Sequence, residues 1–287
     1  CTFDARPNLV GICVRRNGAG LRVEATDGHR LARFTLNTEP HEPGQDWIVP
    51  MDAVQDVIEN PHGWVNFFAG IEIQDDGTAI DDDRLAKMSS YVRRGEETPV
   101  RCIEGKFPNL DPMVMEDPLY SVTFTDGKGV KEALSTCARM CSAHDKVKPC
   151  GIGFGDGAAR FESERAEYGD AAVEVQCEGA LASMPAFGFN ARYMQAALRA
   201  VEYAPFHLSY GSGAKNLKVP QSLTPIRIDC PDVPELVQVV MPLRLEGWDP
   251  AQPAPVQVPE AKTQLTPAQQ EYHAFTECAV AYQERKS

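Results

Sequence analysis

Two groups of residues carry the side chains that chemistry needs. Asp27-Gly28-His29-Arg30 places a carboxylate, an imidazole and a guanidinium within four positions, the ingredients of general acid–base catalysis. Neighbours in a tight glycine turn rarely aim at one substrate, and no Gly-x-Ser-x-Gly nucleophile motif is present. The segment therefore reads as a turn held by structural hydrogen bonds. Cys137, Cys141, His144 and Cys150 suggest a zinc site. However, Cys137 and Cys141 fall on the apolar face of a helical stretch, and no paired Cys-x-x-Cys occurs. Neither a catalytic residue, a metal nor another cofactor is expected.

The elements that would position these residues recur in a fixed order: a short strand, a helix of about three turns, then several strands separated by turns. One copy opens at Trp47-Ile48-Val49-Pro50, with a helix over Met51 to Ile58 and strands at 65–68 and 71–74, the second followed by the turn Asp75-Asp76-Gly77. A second opens at 120–124, with a helix over Lys128 to Cys141 and strands at 151–154, 159–162 and 172–175. A third opens at Phe187-Gly188-Phe189, with Asn190 as N-cap of a helix over Ala191 to Val201 and strands at 207–210, 217–219, 226–228 and 237–240. Residues 8–38 read as the tail of an earlier copy, with strands at 9–14 and 21–25 around Asn17-Gly18. Residues 249–264 are rich in Pro, Ala and Gln and read as a linker, and 267–285 as one further helix.

Of the 287 residues, 43% are hydrophobic and 24% charged, which suits a globular protein. No run approaches the roughly 20 apolar residues of a membrane helix, and no signal peptide is evident, so an intracellular, cytoplasmic protein is expected. Nine scattered cysteines read as buried free thiols. The chain opens on Cys1 instead of Met, so a fragment or a processed product is expected. The net charge of -13, from 41 acidic and 28 basic residues, argues against a protein that coats nucleic acid, unless the positive charge gathers on one face. At about 100° per residue, the second helix puts Val130, Leu134, Cys137 and Cys141 on one side and Lys128, Lys131 and Arg139 on the other. The third sets Met194, Leu198 and Val201 against Arg192, Gln195 and Arg199. The first breaks the pattern: Val54, Val57 and Ile58 are expected to pack, with acidic Asp52, Asp56 and Glu59 outward.

Four segments, in order, resemble the bacterial DNA sliding clamp, the beta subunit of the DNA polymerase III holoenzyme. Ala25-Thr26-Asp27-Gly28-His29-Arg30-Leu31-Ala32 resembles the family signature, and Leu9-Val10-Gly11 its preceding Leu-x-Gly strand. Glu104-Gly105-Lys106-Phe107-Pro108 is similar to the close of the family's middle domain, and Val239-Val240-Met241-Pro242-Leu243-Arg244-Leu245 to its C-terminus. The resemblance implies an α+β fold of tandem clamp domains built of strand–helix–strand units, with helices on one side and sheets on the other. It places an N-terminally incomplete middle domain at 1–108 and the C-terminal domain at 109–245, leaving 246–287 as linker and terminal helix. The family's ring contact joins the first domain of one subunit to the third of another, so this chain alone is not expected to close such a ring.

The same resemblance implies a processivity factor without catalytic chemistry, a homo-oligomeric ring in its full-length form. It would encircle double-stranded DNA regardless of sequence and tether replicative polymerase, clamp loader and other proteins bearing clamp-binding peptides. The family's peptide groove maps onto Leu9, Thr26, Gly28, His29, Arg30, Leu31, Pro108, Val239, Met241 and Arg244. Candidate DNA-facing residues are Lys128, Lys131, Arg139, Arg192 and Arg199. The chain departs from the family at Pro112 and Met113, where a basic residue and a Val are common, and at Met51-Asp52, where Arg or Lys often faces DNA. The rival readings are an enzyme and a truncated clamp-like module that binds such peptides without forming a ring.

Overall fold

Alternation of apolar and polar residues marks a half-buried strand, and it recurs along this chain. The computed structural model describes residues 7–17, 20–37, 46–59, 65–69, 72–73, 79–80, 87–93, 96–114, 116–141, 147–165, 169–179, 181, 184–212 and 223–245. Expectations at Gly18, 75–77, 217–219 and 246–287 lie outside them.

Strands β1 (Gly11–Asn17), β2 (Gly20–Thr26) and β3 (Arg30–Leu36) form a meander. Strand β4 (Trp47–Pro50) leads into α1 (Met51–Glu59), then β5 (Val65–Ala69), the small pair β6 (Glu72–Ile73) and β7 (Ala79–Ile80), β8 (Lys87–Arg93) and β9 (Glu96–Arg101). Strand β10 (Pro118–Phe124) leads into α2 (Gly127–Arg139) and the meander β11 (Pro149–Gly155), β12 (Ala158–Arg165) and β13 (Gly169–Gln176), followed by β14 (Glu178–Gly179). Strand β15 (Phe187–Asn190) leads into α3 (Ala191–Ala200) and the meander β16 (Phe206–Ser212), β17 (Ile226–Cys230) and β18 (Val233–Val240).

The repeat explains the pairing. Each opening strand lies against the first meander strand of a companion unit: β4 on β1, β15 on β11 and β10 on β16. Three equivalent four-stranded arrays result, β4-β1-β2-β3, β15-β11-β12-β13 and β10-β16-β17-β18. Two of them meet edge to edge where β18 pairs antiparallel with β3, so that, among the described residues, nine strands form one continuous sheet. This α+β arrangement of strand–helix–meander units is the one expected.

The larger core lies beneath α2 and α3. Phe124, Phe161, Phe187, Phe189, Phe206 and Tyr210 interlock there with Leu134, Ile152, Met194 and Leu198, all at most 2% exposed. Each such side chain contributes roughly 1.5–3 kcal/mol of burial. The buried Tyr210 hydroxyl donates to the Pro185 carbonyl oxygen, so it leaves no polar atom stranded. Burial of Val130, Leu134, Cys137 and Cys141, and of Met194, Leu198 and Val201, follows the expected helix faces. Asp126 caps α2 by accepting the Gly129 N–H, and Asn190 caps α3 by accepting the Arg192 N–H.

Some expectations fail. Leu9 and Val10 precede the first strand, Leu9 ending a single 3-10 turn over Pro7–Leu9. In α1 the buried residue is Ala53, while Ile58 is 70% exposed. At 100° per residue Ile58 points about 140° away from Ala53, whereas Val57 lies within about 40° of it. The core-facing stripe of α1 is therefore narrower than expected.

Candidate partner-peptide groove and nucleic-acid face

The signature segment forms the turn between β2 and β3. The Asp27 carboxylate accepts the backbone N–H groups of His29 and Arg30, both at 3.0 Å, and the Arg30 side-chain Nε at 2.9 Å. Partial burial pushes its pKa up, but those N–H donors and the adjacent guanidinium outweigh burial and hold the carboxyl below its ordinary value. Thr26 Oγ1 donates to the Arg30 carbonyl at 2.8 Å and accepts the Gly28 N–H at 3.1 Å. Gly28 has φ 86°, a conformation that only glycine adopts without strain. Asp27 thus spends its hydrogen bonds on the turn, and His29 and Arg30 are left exposed on it.

The closing segment arrives beside that turn. Val239 stands opposite Leu31 and Val240 opposite Arg30 in the β3–β18 ladder, and the Met241 N–H extends it by donating to the His29 carbonyl at 2.8 Å. Leu9, Leu31 and Val239, distant in sequence, share one apolar cluster with Cys13, Ile48, Phe107 and Leu110, with Ile103, Met113 and Val114 packed partly against it. Leu31 and Val239 are 6% and 1% exposed, whereas Pro108 and Met241 are half-buried. Arg30 and Arg244 are exposed.

Tyr193, on α3, was not among the expected site residues. Its ring stacks on His29 with centroids 5.7 Å apart and planes at 15°, and the Arg30 guanidinium carbon lies 5.3 Å from its centroid. On the helical wheel Tyr193 falls between the two faces of α3, about 100° from Arg192 and about 80° from Val201, and it packs partly against the larger core, so nothing in the pattern singled it out. Met113 and Val114 reach the cluster from the connector between β9 and β10.

Helices α2 and α3 pack side by side, joined where Gln195 Nε2 donates to Ser135 Oγ at 3.2 Å. Lys128, Lys131, Arg139, Arg192 and Arg199 are all exposed on them. The Lys131 ammonium lies 5.1 Å from the Tyr203 ring centroid, and Arg139 donates to Thr136 Oγ1 at 3.1 Å. Cys137, Cys141 and Cys150 are buried in the core, and His144 lies outside the described residues. Burial chiefly pushes the Cys13 thiol up to about 12 and Cys177 to about 11, so both remain neutral thiols at neutral pH. Among the described residues, no helix is long and apolar enough to cross a membrane.

Repeated strand–helix–meander units, joined edge to edge into a shared sheet with the signature turn at the junction, define a clamp-type fold. Comparison with known proteins places that fold with the bacterial beta sliding clamps. The Pseudomonas aeruginosa beta sliding clamp is 26% identical over 193 residues, 67% of this chain and 48% of that protein. The Streptococcus pneumoniae beta sliding clamp is 23% identical over 248 residues, 85% of this chain and 59% of that protein. A crystal structure of the Pseudomonas aeruginosa DNA polymerase sliding clamp superimposes with a TM-score of 0.65 at 22% identity, covering 85% of this chain and 60% of that one. The sliding clamp of Bacillus subtilis superimposes with a TM-score of 0.63 at 17% identity, over 85% of this chain and 59% of that one. No family model matches the chain. The resemblance to bacterial sliding clamps therefore holds in sequence and in fold, and the chain spans about half to three fifths of the length of these relatives.

Proposed function

We propose that this chain is the part of a sliding clamp that carries its partner-peptide groove, and that the complete protein is a cytoplasmic processivity factor. It encircles duplex DNA and tethers polymerase, clamp loader and other proteins bearing clamp-binding peptides. The work is done by tethering, not by chemistry: a polymerase held on a ring rebinds at high effective concentration instead of diffusing away. In this reading residues 1–108 belong to the middle domain and 109–245 to the C-terminal domain.

The observation that carries the proposal is the β3–β18 junction, where Leu9, Leu31 and Val239 share one apolar cluster, His29 and Arg30 stand exposed on the adjoining turn, and Arg244 is exposed further along the closing segment. A cluster of aliphatic residues with a methionine nearby suits the hydrophobic anchors of a short extended peptide, and the arginines suit its polar groups. A fluorescent peptide of the Gln-x-x-Leu-x-Phe type is expected to bind the chain saturably, and Met241→Ala to weaken it about tenfold or more, equivalent to about 1.4 kcal/mol. Absence of peptide binding by the unaltered chain refutes the groove.

The exposed cations of α2 and α3 support contact with DNA phosphates. Linear duplex is expected to bind weakly and without sequence preference, with affinity falling as salt rises. Lys128→Gln with Lys131→Gln should lower the slope of log affinity against log salt by about 2, provided both side chains touch phosphate. Salt-resistant or sequence-specific binding contradicts this assignment.

A further inference from the structure

We infer that Asp111 is a positioning residue of the peptide groove: it anchors the connector so that Met113 and Val114 complete the apolar wall. The inference rests on the groove reading above.

The connector alternates between two attachments. Leu110, 6% exposed, is inserted in the cluster of Leu9, Leu31, Phe107 and Val239, and Met113 and Val114 pack against the same cluster. Between them Asp111 turns to the face of the β1–β3 meander, where its Oδ1 accepts Arg22 Nη1 at 3.0 Å and Arg33 Nη2 at 2.8 Å. The anchor behind it is stiff. Arg33 donates through Nε to Glu24 Oε1 at 2.7 Å, and Glu24 stands directly across the ladder with a fully buried side chain.

The link from Asp111 to Met113 is equally short of freedom. The Asp111 N–H donates to Asn109 Oδ1, Met113 N–H to the Leu110 carbonyl and Val114 N–H to that of Asp111, closing a 3-10 turn. Pro112 fixes one backbone dihedral within that turn. A change at the arginines has a short, hydrogen-bonded path to Met113 through this turn. Asp111 itself is 54% exposed, so its pairs are screened and their value lies in direction more than in strength.

The test uses the full chain labelled with 13C at the methionine methyls, alongside anisotropy with the Gln-x-x-Leu-x-Phe peptide. Met113→Leu assigns the Met113 signal. Asp111→Asn should weaken the peptide about three- to tenfold. It should also shift the Met113 and Met241 methyl signals while leaving that of Met194, buried in the larger core, in place. Asp111→Glu, which keeps the charge, should recover most of the affinity. The inference is overturned if Asp111→Asn changes neither the Met113 signal nor the affinity, or if Met194 shifts in step with a general loss of stability. If the unaltered chain ignores the peptide, the groove reading falls, while the methyl signals still decide whether Asp111 holds Met113 in place.

Discussion

Replacing Arg33 by Met is expected to destabilise the chain by about 3–5 kcal/mol, the cost of leaving a buried carboxylate without its partner. Glu24 is completely buried and Arg33 is 9% exposed at the side chain, so water cannot take over the lost contact. The nearest remaining cation, Arg15, lies 3.8 Å from the other Glu24 oxygen and is already held by Asp46 at 2.9 Å. Desolvation of the pair offsets most of its attraction, so removing both charges is a different experiment. Glu24→Leu combined with Arg33→Met should lie within about 1–2 kcal/mol of the unaltered chain, because no uncompensated buried charge remains. Urea unfolding of the two single variants and the double variant completes the cycle. A single Arg33→Met variant as stable as its parent would show that the Glu24 carboxylate reaches solvent or another cation.

That ion pair shows where sequence reading stops. Period-two alternation exposed the strands because one face of each meets a core, and the helix faces of α2 and α3 were legible for the corresponding reason. Glu24 and Arg33 sit on alternating strands where a charged residue signals solvent. Only the register that sets them opposite each other, beneath the connector, turns them into a buried pair. Ile58 misled in the opposite sense, since apolar character alone placed it in a core that the narrow stripe of α1 does not reach.

The candidate groove was legible for a different reason. Gly28 and the residues around it form a turn whose hydrogen bonds demand those residue types, so the segment resembles the clamp signature strongly enough to be noticed. Tyr193 carries no such local demand. It reaches the turn because α3 packs against β18, which pairs with β3, an arrangement that no helical wheel contains.

Leu31→Ala is expected to reduce affinity for the Gln-x-x-Leu-x-Phe peptide by tenfold or more and to lower stability by about 2–5 kcal/mol. Both effects follow from one side chain, 6% exposed, that belongs to the cluster and stands opposite Val239 of the closing strand in the ladder. Lost stability alone must be separated from a lost anchor site. Ile48 serves that purpose: it is 1% exposed in the same cluster, on β4, and outside the assigned groove. Ile48→Ala should cost a similar stability and leave peptide affinity within about twofold when both variants are held well below their melting temperatures. Equal losses of affinity in the two would mean that the peptide reads the integrity of the cluster as a whole. A loss confined to Leu31→Ala would locate the peptide's apolar contact on the β3 side of the junction, beside the residues that hold β18.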